Sequence, residues 1–158
     1  MCGFTIIIKR NKKKIKINKS TLKHRGPDNS QYIFKNGINF RHWRLSIVDL
    51  TKKSNQPMTS KNYVLLYNGE IYDFKKISKK NFDVECASDT IFLNKFLNKY
   101  GNLNFIKNLS GFYSYAYFDK KNNQICFSRD KIGKKFLFFY KSDDNFIISS
   151  EEKGITPF

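Results

Sequence analysis

Cys2 is the residue best placed to do chemistry, because removal of the initiator methionine would make it the first residue of the chain. A free N-terminal cysteine combines a thiol of pKa ~8.5 with an α-amine of pKa ~8, both close to a neutral working pH. The amine can take the thiol proton as the sulfur attacks and later deliver a proton to the leaving group. No separate histidine is needed. The other cysteines, Cys86 and Cys126, form no CxxC spacing, and an odd total is not a disulfide framework. They read as small buried hydrophobes. Arginine is the second informative type. Only Arg10, Arg25, Arg41, Arg44 and Arg129 occur in a chain that otherwise uses lysine. A guanidinium is a planar, permanently charged fork suited to carboxylates, and an ammonium is not.

The elements that must position these groups are mostly short strands. Phe4 to Lys9 is an apolar run of strand length, residues 11 to 23 are polar and lysine-rich, and His24-Arg25-Gly26-Pro27-Asp28 forms a turn-prone loop. Strands are expected at 31 to 35, 38 to 48 and 62 to 67. Asn68-Gly69, between the β-rich runs Tyr63 to Tyr67 and Ile71 to Phe74, reads on its own as a type I′ hairpin. Ser88-Asp89 can cap one clear helix with an apolar face from Ile91 to Tyr100, stopped by Gly101. A shorter helix is expected through Phe105 to Leu109, then strands at 112 to 118, 124 to 129, 136 to 141 and 146 to 149. With no repeat and no linker, the pattern predicts an α+β architecture with antiparallel sheets.

Composition narrows the class. Hydrophobic residues at 40% and aromatics at 16% suit a packed globule rather than a disordered chain. No apolar run approaches the ~20 residues of a membrane span. The Phe4 to Ile8 run is too short for a signal peptide and follows no basic segment. A cytoplasmic protein without a membrane partner is expected. The net charge of +17 is almost all lysine, accompanied by abundant Asn, Ile and Phe, as A/T-rich codons favour. The lysines are scattered rather than interleaved with stacking aromatics, so a nucleic-acid partner is not expected despite the charge.

Several short motifs follow one another in order. They are Met1-Cys2-Gly3, His24-Arg25-Gly26-Pro27-Asp28, Arg44-Leu45-Ser46-Ile47-Val48-Asp49, Gln56-Pro57 and Tyr67-Asn68-Gly69-Glu70-Ile71-Tyr72. Ser88-Asp89-Thr90, Leu109-Ser110-Gly111-Phe112 through Tyr117-Phe118-Asp119, Ser128-Arg129-Asp130 with Gly133, and Ser150-Glu151 complete the series. Together they resemble the N-terminal glutaminase domain of glutamine-dependent asparagine synthetase, a class II amidotransferase of the N-terminal nucleophile hydrolase superfamily. The resemblance implies a four-layer αββα sandwich of two antiparallel sheets over residues 1–158. It implies glutamine as substrate: Cys2 attacks the side-chain amide, ammonia leaves, and water resolves the γ-glutamyl thioester.

By the same resemblance, the Asn68 side-chain amide and the Gly69 N–H would form the oxyanion hole, each donor worth ~3 kcal/mol. Arg44 would hold the substrate α-carboxylate and Asp89 its α-ammonium, although Asp89 could instead cap the helix. Glu70 matches a substrate-side position, and Ile47 and Val48 match positions whose backbone lines the pocket. His24, Arg25 and Asp28 are expected to brace the loop near the site, while His42 matches no family role. These residues require no metal or organic cofactor.

The sequence also departs from the family. Phe4-Thr5-Ile6 lacks the usual second glycine, and the segment between Cys2 and His24 is short, so the helix that normally precedes His24 is expected to be truncated or lost. Ile91 replaces a common Glu, and Lys135-Phe136 replaces Lys-Pro. An ATP-using synthetase module with an SGG-x-DS-type loop is not in the sequence. The acceptor of ammonia, such as aspartate, would then be handled by a further C-terminal domain or a separate chain, and ATP would enter only there. Two other readings stay open at this stage. One is a regulatory glutamine-binding module without catalysis, and the other is a basic nucleic-acid-binding protein.

Overall fold

A computed structural model describes residues 1–15 and 17–156, so Lys16, Pro157 and Phe158 of the expected 1–158 unit lie outside the described residues. Among the described residues, nine strands form two antiparallel sheets. The first sheet joins β1 (Gly3–Lys9), β2 (Asn29–Lys35), β3 (Ile38–Arg44), β8 (Phe138–Lys141) and β9 (Asn145–Ser149) in the order β2-β3-β1-β9-β8. The second joins β4 (Met58–Thr59), β5 (Tyr63–Ile71), β6 (Gly111–Asp119) and β7 (Gln124–Arg129) in chain order.

Side-chain alternation explains the stacking. Along β5, Val64 and Leu66 meet Phe4, Ile6, Phe40 and Ile148 of the first sheet in one fully buried core. Leu65 and Tyr67 face the opposite way, onto Phe92, Leu93 and Leu97 of a helix. That helix, α2 (Asp89–Tyr100), begins at Ser88, whose Oγ accepts the Ile91 N–H (3.2 Å), and ends at Gly101 in the left-handed region. A second helix, α1 (Phe74–Phe82), packs Phe74, Ile77 and Phe82 against the same core. The outer face of the first sheet buries Ile7, Trp43 and Ile147 under Ile17 and Leu22.

The layered α+β sandwich with two antiparallel sheets is therefore as expected. In the outermost layer beyond the first sheet, turns of residues 19–25 stand where the family helix would lie, and Trp43 Nε1 donates to the Lys19 carbonyl (2.6 Å) to hold them down.

Three local expectations need correction. Asn68-Gly69 is not a hairpin: β5 runs straight through it, paired with β6 from Tyr63↔Asp119 to Ile71↔Gly111. The glycine is needed for close approach, since a Cβ on Gly69 would lie 2.4 Å from the Phe112 carbonyl oxygen. The run Ile71 to Phe74 is not a strand, because Phe74 opens α1, whose apolar residues have somewhere to pack. The strand expected at 38 to 48 stops at Arg44. Beyond it, the Leu45 N–H donates to Cys2 Sγ (3.3 Å) and the Ser46 N–H to Asp28 Oδ2 (2.7 Å). These tertiary partners replace a strand ladder.

Candidate active site

Cys2 immediately precedes β1, and the pairing of Gly3 with Trp43 sets it beside the end of β3. Its backbone carbonyl accepts from Arg25 Nε (2.8 Å) and from the Asn68 side-chain amide (3.0 Å), the amide being oriented so that its oxygen accepts from Arg25 Nη2 (3.3 Å). Arg25 Nη1 in turn donates to Glu151 Oε1 (2.8 Å), and His24 Nε2 pairs with Glu151 Oε2 (2.9 Å). Burial works against the Glu151 carboxylate, but the Arg25 and His24 contacts outweigh it and hold its pKa below the usual range. Of the residues expected to brace the loop near the site, Arg25 contacts Cys2 itself and Asn68, Asp28 accepts the Ser46 N–H, and His24 pairs with Glu151.

Burial pushes the Cys2 thiol pKa up, while the Leu45 N–H, the N-terminal amine and Arg44 partly oppose this. Met1 is present, and burial lowers the pKa of its amine, with Arg25 and Lys135 adding to the effect.

A cavity of about 290 Å³ opens beside the sulfur, at the small end of the range for small-molecule sites. Cys2, Asn68 and Gly69 line it, as do Arg44, Ile47, Val48, Glu70 and Asp89. The structure thus brings all eight candidate residues to one place from four separate stretches of chain. The side chains of Ile47 and Val48 are largely exposed, so these two border the cavity from a loop rather than from a packed strand.

Arg44 is buried and braced on one side. Its Nη1 donates to the Thr51 carbonyl (2.6 Å) and to Asn55 Oδ1 (2.7 Å), and its Nη2 donates to the Asp49 carbonyl. Asp49 accepts from the Thr51 N–H (2.8 Å) and from Ser54 Oγ, which also meets Ser88 Oγ at 2.6 Å. The cap of α2 is therefore wired to the loop that holds Arg44.

Because Ser88 caps the helix, Asp89 is left for another task. Its Oδ2 accepts from Tyr67 Oη (2.9 Å) and the Ile71 N–H (3.2 Å), and its Oδ1 from the Thr90 N–H (2.8 Å). Burial raises its pKa, and these hydrogen bonds act in the opposite direction. Within the cavity wall, Glu70 is exposed on β5. Lys135 lies across from it, buried, with Nζ 4.6 Å from the Phe112 ring centroid and in contact with the Met1 sulfur.

Sequence reasoning did not assign Lys135, Tyr67, Gln56 or His42. Gln56 extends the second sheet with its side chain: Oε1 accepts the Tyr67 N–H (2.6 Å) and Nε2 donates to the Tyr67 carbonyl (3.1 Å). His42 Nε2 donates to that same carbonyl from the facing sheet (3.2 Å). The alternation of Phe40, His42 and Arg44 along one strand was a signal that His42 points between the sheets.

The comparisons agree with this geometry. The family described as Glutamine amidotransferase domain matches residues 1–158. The chain is 38% identical, over 98% of its length, to a Methanocaldococcus jannaschii protein named as a provisional glutamine-hydrolysing asparagine synthetase, of which it covers 35%. It is 29% identical over 98% of its length to glutamine-hydrolysing asparagine synthetase 3 of Bacillus subtilis, covering 27% of that protein. Against a glutamine-hydrolysing asparagine synthetase of Brassica oleracea it is 34% identical over 85% of its length, covering 23%. The chain thus spans roughly a third to a quarter of the length of these relatives. Motif order, layered sheets and a single cavity gathering the motif residues all lead to one assignment: this chain belongs to the glutamine amidotransferase domain family.

Proposed function

We propose that the chain hydrolyses glutamine to glutamate and ammonia through Cys2, as the glutaminase part of an asparagine-synthetase-like system. The observation that carries the reading is the convergence of Cys2, Asn68, Gly69, Arg44 and Asp89 on one small cavity. Loss of Met1 would put a free α-amine on Cys2. An ordinary α-amine has a pKa of about 8, so near neutral pH a fraction of it is in the neutral, proton-accepting form. Because burial raises the thiol pKa, the proton leaves sulfur as attack proceeds rather than beforehand. The Leu45 N–H, 3.3 Å from Sγ, stabilises the developing thiolate.

Attack forms a C–S bond and places negative charge on the amide oxygen. The Asn68 amide has two N–H groups, one on the Cys2 carbonyl and a second free to serve that oxygen together with the Gly69 N–H. Breaking the C–N bond releases ammonia, which takes its proton from the amine, and water then cleaves the thioester. Arg44 and Asp89 present opposite charges suited to the two ends of an amino acid's α-group. Transfer of the ammonia to an acceptor such as aspartate, and any use of ATP, would fall to a synthetase module, in a further domain or a separate chain. The test compares Met-processed protein, verified by intact mass, with Cys2→Ala. Glutamate release is expected from the first alone, and equal rates would end the proposal.

A further inference from the structure

We propose that His42 is a positioning residue for the oxyanion-stabilising part of β5, clamping the Tyr67 carbonyl together with Gln56 so that Asn68 and Gly69 are held beside Cys2. The inference rests on the glutamine-hydrolysis reading and adds to it a residue that lies outside the cavity lining.

The need for a clamp follows from the sheet. The partner strand β4 ends at the pairing of Met58 with Leu65. Beyond it, the next outward-directed backbone groups of β5 are the N–H and C=O of Tyr67, which have no strand to bond. The Gln56 carboxamide takes both of them. A carbonyl oxygen has a second lone pair, and the His42 imidazole reaches it from the opposite sheet at 3.2 Å. By the two-residue repeat of a strand, the Gly69 N–H is directed to the same side as that of Tyr67, and Gly69 lines the cavity. Only Asn68 stands between the clamped carbonyl and this N–H. Whatever fixes the carbonyl therefore fixes the start of the peptide units that carry both proposed oxyanion donors.

The chemistry of His42 fits a donor and little else. The side chain is fully buried, and burial pushes its pKa down to about 3, so the ring is neutral. A neutral ring that donates from Nε2 leaves Nδ1 as an acceptor, and Nδ1 has no hydrogen-bond partner among the described residues. Packing alone would be better served by an aliphatic side chain, since an unmet buried acceptor is unfavourable. What the imidazole supplies in return is the single bond to Tyr67.

The experiment uses four Met-processed proteins: wild type, His42→Leu, His42→Gln and Cys2→Ala. In His42→Leu, kcat for glutamine hydrolysis falls by about tenfold to a hundredfold, as expected for slightly misplaced donors. KM stays within about twofold, because Arg44 and Asp89 are untouched. The thermal midpoint does not fall. His42→Gln, whose amide nitrogen can take the place of Nε2, recovers most of kcat. An unchanged kcat in His42→Leu, a loss carried by KM, or no recovery in His42→Gln would overturn the proposal. A wild type no faster than Cys2→Ala would instead sink the hydrolysis reading. The clamp is then judged by the backbone amide resonances of Asn68 and Gly69, which shift in His42→Leu and return in His42→Gln; unchanged resonances in His42→Leu overturn it.

Discussion

At Arg25 a single guanidinium joins groups 23 and 126 positions away in sequence: the Cys2 carbonyl and the Glu151 carboxylate, with the Asn68 amide as a third partner. Lysine could not hold three partners in fixed directions, which is a physical reason for arginine here in a lysine-rich chain. Asp130 plays a comparable part on the other wall. Its carboxylate accepts the backbone N–H groups of Tyr113 (3.3 Å), Lys134 (2.9 Å) and Lys135 (3.0 Å), and so shapes the loop that presents Lys135 to the cavity. Burial alone would raise the Asp130 pKa, but these bonds outweigh it and the net shift is downward. The resulting stabilisation is full above the ordinary aspartate pKa near 3.8 and is lost as pH falls through the lower folded-state value. Denaturant unfolding across an acid pH series should therefore show wild type and Asp130→Asn converging in stability as the pH drops. A gap that stays constant would contradict this account.

Among the elements, β5 carries the largest difference between sequence and structure. Asn-Gly is the strongest short-range hairpin signal, yet here it lies inside a nine-residue strand because β6 supplies an unbroken partner. Local turn chemistry loses to long-range pairing, which is not visible in a window of ten residues. The same blindness hid α1, whose lysines mask the spacing of Phe74, Ile77 and Phe82, whereas α2 was legible from its cap, apolar face and terminal glycine. The site followed a similar division. Cys2, Arg44 and Asp89 stood out by residue type and motif, while Gln56 and His42 act through backbone groups of a strand that no sequence pattern links to them. Gly69→Ala tests the strand directly. With Phe112 O only 2.4 Å from the added carbon, β5 and β6 must separate, at an expected cost of about 2 kcal/mol or more. An unchanged denaturation midpoint would show that the sheet has slack there.

For the whole molecule, the charge is the dominant surface property. Among the described residues, Lys79 with Asp83 is the one lysine in an ion pair, and both side chains are well exposed. The +17 is the excess of 30 Lys and Arg over 13 Asp and Glu, so the folded state works against its own repulsion. Raising NaCl from about 20 mM to about 0.5 M shortens the screening length severalfold, so the thermal midpoint should rise. A flat or falling midpoint would show that the lysines are neutralised in some other way. None of the helices among the described residues is long and apolar enough to cross a membrane. The order of strands in the first sheet bears on biogenesis. The central strand β1 pairs on one side with β3 and on the other with β9, whose Ser149 lies opposite Thr5. Synthesis makes β1 well before β9, so on the ribosome β1 waits with one edge open and Arg25 waits for Glu151. Under the proposed hydrolysis, the removal of Met1 that frees the Cys2 amine would then fall in the interval before β9 closes that edge beside β1.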